Sequence, residues 1–523
     1  MRIFFPGGLN EQQTPHLFEC GQGYNFELGL KQSKLKPRKP FDLKGTSTNA
    51  AAINGFIQLV KRDNTETTLV QSGDTVYLWN GGATFTSKGT VSSNARLRDT
   101  YWSLNDYSII TDVAKATVVK KWDGTTFSTL TTGLGVDFYA KYGVVHLGRV
   151  WFANVTATTA LPHMIVASAV DDPTVLSTTL RGGPSAEGGG TFSVGTEALY
   201  LLSPDLKPIN GIVEFYGSLI ISTEGGQLYR LSGTSATNFK WLPYYQGSAA
   251  IGSESMAEIG NDVVYMKEGG GIDRLRVTQQ SGDVSTDDLS RYLITTTADL
   301  TSAITVYDQK NQKVFFFVSG KVLVLFKDLL EGELSPWSVY KTAQSFAFAT
   351  NAAKYMKMPG TQVYSVYFGD SVGRIFDMNG GGAGDAGSSN ISVLRRTRFI
   401  YDGEGQDRAK GIQGIDLSKK ILRGVVQYRR IFSAADLTLS FDWGDEYNIS
   451  SSVIPLKGAP TASAGNYWGG SAYWGGTFYW SAGSAFAQKI SSQTFSPTGK
   501  GRGFFMSASL DTTTDFQIES VDL

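Results

Sequence analysis

The sequence predicts an all-β chain: a β-propeller of six or seven blades followed by a C-terminal β-sandwich platform. Three observations predict it. Ser222-Thr223-Glu224-Gly225-Gly226, followed by Leu228 and Leu231, recurs 44 residues later as Met266-Lys267-Glu268-Gly269-Gly270, followed by Ile272 and Leu275. The strand ahead of each turn matches as well, Leu219-Ile220-Ile221 against Val263-Val264-Tyr265. A second pair repeats at 43, with Trp79-Asn80-Gly81 and Phe85 answered by Trp122-Asp123-Gly124 and Phe127. Repeats of roughly 40 to 45 residues built from short strands are the length of propeller blades. The composition agrees: 60 Gly, 24 Tyr and 30 Phe, with no long Ala-, Leu-, Glu- and Lys-rich stretch at helical spacing, leave helix a minor component.

At 523 residues the chain exceeds one ordinary core, so two or three domains are expected, one of them a propeller of about 300 residues. Lys plus Arg and Asp plus Glu both number 47, so the charge balances and no large attraction to phosphate is built in. That argues against a dedicated DNA-gripping protein. Cys20 is the only cysteine, which excludes an intramolecular disulfide framework and a Cys-based zinc site. The opening Met1-Arg2-Ile3-Phe4-Phe5-Pro6 is too short for a signal-peptide core, and no run approaches 18 apolar residues. A soluble protein made in a cytoplasm is the expectation.

Residues 1 to 45 read as an irregular N-terminal arm. In Lys34-Leu35-Lys36-Pro37-Arg38-Lys39-Pro40 two prolines and four cations forbid a regular helix or a central strand. The segment is either a solvated arm or one that clasps a neighbouring subunit or faces nucleic acid, with Lys36 and Arg38 as candidate contacts. From 46 to 378 short apolar runs alternate with Gly, Asn and Asp turns. Candidate blades centre on Thr75 to Trp79, Tyr107 to Trp122, Val144 to Phe152, Ile212 to Leu231, Ile259 to Leu275, Val306 to Phe326 and Val363 to Phe376. Continuous apolar runs such as Val314-Phe315-Phe316-Phe317-Val318 mark strands buried on both faces, as inner blade strands are. Residues 379 to 390, with glycine too dense to be held in a strand, form the linker. Residues 391 to 523 form the platform, where Leu437 to Phe441 and Phe516 to Val521 alternate.

Little in the chain has the pattern of a catalytic site. His16, His146 and His163 stand in no metal-binding spacing, and no Gly-x-Ser-x-Gly elbow occurs. His146, between Val145 and Leu147, reads as a structural imidazole. Gly382 to Gly387 matches G-x-G-x-x-G in the linker but follows no strand-to-helix transition, so the phosphate-cradling geometry is missing. Ser440 to Tyr447 resembles the Asp-box of sialidases, with Glu446 for Thr and Tyr447 for Trp, and reads as a hairpin turn. Asp171-Asp172 and Asp287-Asp288 read as turn residues. Arg395-Arg396-Thr397-Arg398, Lys419-Lys420 and Arg429-Arg430 place neighbours on opposite faces of a strand, so no pair makes one basic stripe.

One motif remains without a fold role. Tyr467-Trp468-Gly469-Gly470 repeats at six as Tyr473-Trp474-Gly475-Gly476 and begins again at Tyr479-Trp480. Aromatics on Gly-rich hairpins make protein interfaces, pack inside a sandwich or stack on sugars. Contact with another subunit or another component of an assembly is the favoured use of Tyr467, Trp468, Tyr473, Trp474, Tyr479 and Trp480.

Several segments together resemble the tail nozzle, or tail hub, proteins of short-tailed bacteriophages. They are Lys34 to Arg38, Tyr142 to Phe152, Met164 to Pro173 with its S-x-x-x-D-P ending, Lys207 to Ile221 with Leu228 to Gly233, and Ser335-Pro336-Trp337. The resemblance implies a virion protein, assembled in the host cytoplasm, that forms a homohexameric ring below the head-to-tail adaptor. It implies tail fibres or spikes as partners, passage of double-stranded DNA through the lumen, no enzymatic activity and no cofactor. The alternative is a carbohydrate-active propeller protein, a sialidase-like hydrolase or lectin, which would need clustered acid, base and Arg groups.

Overall fold

The computed structural model describes residues 20–28, 36–102, 106–177, 198–235, 238–247, 249–277, 284–293, 303–331, 335–341 and 351–380. It also describes strands at 2–3 and 191–192 and, past the linker, at 391–397, 400–401, 424–429, 437–445, 448–456, 490–495, 503–512 and 517–522. Seven antiparallel sheets follow one another along the chain from Ile53 to Asp377, each beginning with an inner strand; five step outward in sequence order, the third places Thr191–Phe192 outside Leu199–Leu202, and the seventh takes its outermost strand from the N-terminal segment. The inner strands are Ile53–Val60, Leu97–Trp102, Tyr139–His146, Ile209–Phe215, Met256–Glu258, Ile304–Asp308 and Ala353–Lys357. Each packs beside the next, and the seventh packs beside the first, so the sheets close a ring. This is a seven-bladed propeller, the upper of the two numbers expected, and each predicted blade centre falls in a different sheet.

The reason for the ring lies in the second strands. Tyr107–Asp112, Ser218–Thr223, Asp262–Met266 and Lys313–Val318 are buried at every position. A four-stranded sheet alone leaves both faces of such a strand in water; a neighbour on either side buries both, at about 25 cal/mol per Å² of apolar surface. The internal repeats land on equivalent places. Leu219-Ile220-Ile221 and Val263-Val264-Tyr265 lie in the second strands of blades four and five, while Trp79 and Trp122 end the third strands of blades one and two. Both tryptophans are fully buried; Trp79 Nε1 donates to Gly82 O at 2.8 Å and Trp122 Nε1 to Thr67 Oγ1 of blade one at 2.8 Å. Trp337 of the Ser335-Pro336-Trp337 segment likewise crosses a junction, from blade six to Leu289 O of blade five at 2.9 Å.

At three junctions, polar side chains near the ends of second strands tie one blade to the next. Gln71 donates to Ala95 O at 2.7 Å and accepts from Leu97 N at 3.0 Å, joining blades one and two. Asn154 donates to Ile209 O at 2.9 Å between blades three and four, and Ser222 Oγ accepts from Ala250 N at 2.9 Å between four and five. A buried backbone group left without such a partner would lose about 1–3 kcal/mol.

The N-terminal segment departs from expectation. The arm expected to be irregular to residue 45 carries the strands Arg2–Ile3, Cys20–Tyr24, Phe26–Glu27 and Lys36–Pro37. The expected boundary at 45/46 cuts the strand Asp42–Thr46, which is the outermost strand of blade seven, paired antiparallel to Arg374–Asp377. Strand Cys20–Tyr24 edges a sheet with Ile391–Thr397, Gly503–Thr512, Leu437–Asp445 and Asn448–Leu456. Arg2–Ile3 edges a second sheet with Gln517–Asp522, Gly424–Arg429 and Ile490–Phe495. One segment therefore contributes to both C-terminal sheets and then seals the propeller. Pairings that span most of the chain leave no local trace, which is why an arm was expected there.

Candidate functional site

Charged residues from several blades meet near the axis of the propeller. Arg96 lies just ahead of the inner strand of blade two and Arg98 is its second residue, and both turn their side chains to one carboxylate. They meet Glu254, carried on the single turn Ser253–Ser255 ahead of the inner strand of blade five, on the opposite side of the ring. Arg96 Nη2 lies 2.9 Å from Glu254 Oε2, and Arg98 pairs with the other carboxylate oxygen. Arg98 also donates to Asn54 O of blade one and, at 2.9 Å, to Asn351 O just ahead of the inner strand of blade seven. Four blades thus meet through one guanidinium, and the ion pair bars this mouth of the channel.

Burial sets the electrostatics here. It pushes the Arg96 guanidinium down from its ordinary value, with Glu254 opposing the shift. Burial pushes Lys141 down as well, opposed by Glu224 and Glu254, and drives the Tyr142 phenol far above the usual tyrosine range. Elsewhere between the blades, Lys354 of blade seven pairs with Asp99 of blade two, and Lys357 of blade seven with Glu66 of blade one. Gln58 binds the backbone of Lys357 in both directions, donating to its carbonyl at 2.7 Å and accepting from its amide at 3.1 Å. Acids and bases here neutralise one another across blade junctions, an arrangement suited to holding a ring shut.

The residues singled out in the sequence are distributed differently. Arg38 is buried at 2 % exposure: Nε donates to Asn25 Oδ1 at 3.0 Å, Nη1 to Lys39 O at 2.9 Å and Nη2 to Lys341 O at 3.0 Å, and its guanidinium stacks 3.6 Å from the Phe41 ring centre. It is a clamp within this chain, not a solvated contact. Lys36 stands opposite Glu27 in backbone register. Tyr467, Trp468, Tyr473, Trp474, Tyr479 and Trp480 lie outside the described residues, as do the linker glycines from Gly381 onward, His16 and Lys419-Lys420. His146 is buried at the far end of an inner strand, hydrogen-bonded through Nδ1 to Glu214 Oε1 at 3.0 Å. Asp172 accepts from both Thr174 N and Oγ1 in a turn, and Asp288 accepts from Ser290 N at the head of a short 3-10 turn. The Asp-box-like segment runs along Leu437–Asp445, whose partner strand starts at Asn448.

Sequence reasoning missed the axial cluster. Its one local signal was the Arg-x-Arg spacing at the start of a strand; Glu254, three blades away, gave none.

No protein-family model and no curated protein matches this chain. Solved structures similar to it include virginiamycin B lyase from Staphylococcus aureus, at 10% identity and a TM-score of 0.41, covering 64% of this chain and 96% of the lyase. Another is the β-propeller domain of Cps50 (Swd1) from Myceliophteria thermophila, at 10% identity and a TM-score of 0.41, covering 65% and 99%. The propeller is established by the strand order and the closure of the ring. Among the described residues no cluster of His, Cys, Asp and Glu is placed to hold a metal ion, and no helix is long and apolar enough to cross a membrane.

Proposed function

We propose that this chain is a structural virion protein, the subunit of a hexameric tail nozzle of a short-tailed bacteriophage. In this reading it sits below the head-to-tail adaptor, carries tail fibres or spikes, and lines the DNA exit channel. The observation that carries the reading is the strapping of the two parts of the chain. Strands from the first 24 residues edge both C-terminal sheets, and the same segment then supplies Asp42–Thr46 to blade seven. A subunit loaded along the tail axis needs its parts joined by ladders of hydrogen bonds, and here a pull on one sheet is passed to the other.

The charges support the same reading. Glu254 and its two arginines bar the propeller's own axis, so the conduit for DNA is the space enclosed by six subunits. A conduit must release its cargo, and a strongly basic lumen would hold a duplex through the counterions it displaces. The balance of 47 cations and 47 anions is compatible with passage. Six identical subunits in a closed ring meet through heterologous faces, each burying roughly 2,000 Å² or more.

The test is native mass spectrometry and negative-stain microscopy of the purified chain with and without the adaptor of the same virus. Six-membered rings, alone or on the adaptor, are expected. Single subunits under both conditions, together with turnover or tight binding of glycans, would replace this reading with the carbohydrate-active one.

A further inference from the structure

The two arginines at the axial mouth offer more than Glu254 takes up. Arg98 is fixed without it: Nη1 donates to Asn54 O at 2.9 Å and to Leu97 O at 2.6 Å, and Nη2 to Asn351 O at 2.9 Å. Arg96 Nε is buried with no hydrogen-bond partner. Lys141 adds a third positive charge within range of Glu254. The carboxylate itself is delivered at the tip of one short turn, which Ser255 Oγ braces by donating to Gly252 O at 2.6 Å and Ser253 Oγ by donating to Ile212 O at 3.0 Å. Two guanidiniums that converge on one carboxylate, one of them held by backbone carbonyls, form a fork that suits the paired oxygens of a phosphate or a carboxylate.

We propose that this mouth is an oxyanion-binding site, taking a free phosphate or polycarboxylate, and that Glu254 occupies it as an internal ligand. Arg98 keeps its place whether or not Glu254 is present, because its carbonyl partners belong to blades one, two and seven. An incoming anion therefore meets a preformed site and has only the Glu254 side chain to displace, while the braced turn stays in place. The inference stands on the axial geometry alone and is independent of the nozzle reading.

Calorimetric titration of inorganic phosphate and of citrate into the full chain tests it. Glu254→Gln removes the internal charge, and affinity for at least one of the two anions is expected to rise on the order of tenfold or more, the equivalent of one charge-assisted hydrogen-bonding group. Adding Arg96→Ala to that variant should return affinity to the wild-type level; Arg96 makes no tie to a backbone carbonyl of another blade, so the ring survives its loss. Glu254→Asp, which keeps the charge but shortens its reach, should shift affinity in the same direction by less. A gain for phosphate only, or for citrate only, supports the site and fixes its ligand class. No gain for either anion in Glu254→Gln and Glu254→Asp, or a gain that survives Arg96→Ala, overturns it.

Discussion

Gly369 and Ile53 meet at the junction where blade seven closes on blade one, so tightly that a β-carbon built on Gly369 would lie 2.2 Å from Ile53 Cβ. Ile53 N donates to Asp370 O at 3.0 Å beside this contact. The last blade therefore approaches the first through a position that has no room for a side chain.

The prediction is that Gly369→Ala pushes the two strands apart. Overpacking a close contact costs about 1–3 kcal/mol, and here the nearest obstructing atom is a β-carbon, which no rotamer change moves aside, at the point where the ring must shut. Urea unfolding followed by tryptophan fluorescence should show a lower midpoint. Pairing Gly369→Ala with Ile53→Gly, which removes the obstructing β-carbon, should restore part of the loss; a double variant no better than the sum of the two singles would remove steric closure as the cause.

A second prediction concerns the clamp at Arg38. Lys keeps the positive charge but replaces a planar fork with a single ammonium, so Asn25 Oδ1, Lys39 O and Lys341 O cannot all be served. Arg38→Lys should cost about 2–3 kcal/mol, the scale of charged hydrogen bonds lost and acceptors left buried. Limited proteolysis should then cut the N-terminal segment sooner than in the wild type. Unchanged cleavage would mean that the strand pairings hold the segment without Arg38.

These two sites show what the sequence displayed and what it hid. Blade positions were legible, and blade number only as six or seven, because blades repeat their own apolar strands and Gly-Gly or Asn-Gly turns within some 44 residues, as Leu219 to Leu231 and Val263 to Leu275 do. Every feature that crosses the ring was illegible. Asp42–Thr46 holds one large apolar residue, Leu43, and gives no strand signal until Arg374–Asp377 is placed beside it. Arg38 reads as solvated among lysines and prolines, and only the fold brings Asn25, Phe41 and Lys341 around it. The same holds for Glu254 against Arg96 and Arg98.

A third prediction addresses assembly and rests on the Tyr-Trp-Gly-Gly repeats. Trp468→Ala combined with Trp474→Ala should leave the propeller folded while impairing ring formation, since large aromatics dominate the energy of interfaces. Circular dichroism and melting of the isolated subunit are expected to match the wild type, with the yield of six-membered rings reduced in native mass spectra. Rings at normal yield would move these tryptophans out of the interface.

The last prediction is a pH dependence on the outer side of blade five. Arg274 donates to Asp262 Oδ2 at 2.8 Å and to Glu331 Oε1 at 2.9 Å, and Arg276 reaches the other Glu331 oxygen at 3.4 Å. The hydrogen bond from Arg274 is the largest cause holding the Glu331 carboxyl below its usual range. A carboxyl whose value is lower in the folded chain than in the unfolded one contributes stability above the ordinary carboxylate range, and that contribution fades as the pH falls through the depressed value. Because the Glu331 side chain is 65% exposed, screening limits the contribution to below about 1 kcal/mol. Wild type should therefore exceed Glu331→Gln slightly in urea midpoint near about pH 7, and the two curves should converge in acid. Raising the salt at neutral pH should narrow the gap as well, since the pair lies open to solvent. A gap that stayed constant from neutral to acid pH would assign the effect to packing and not to charge.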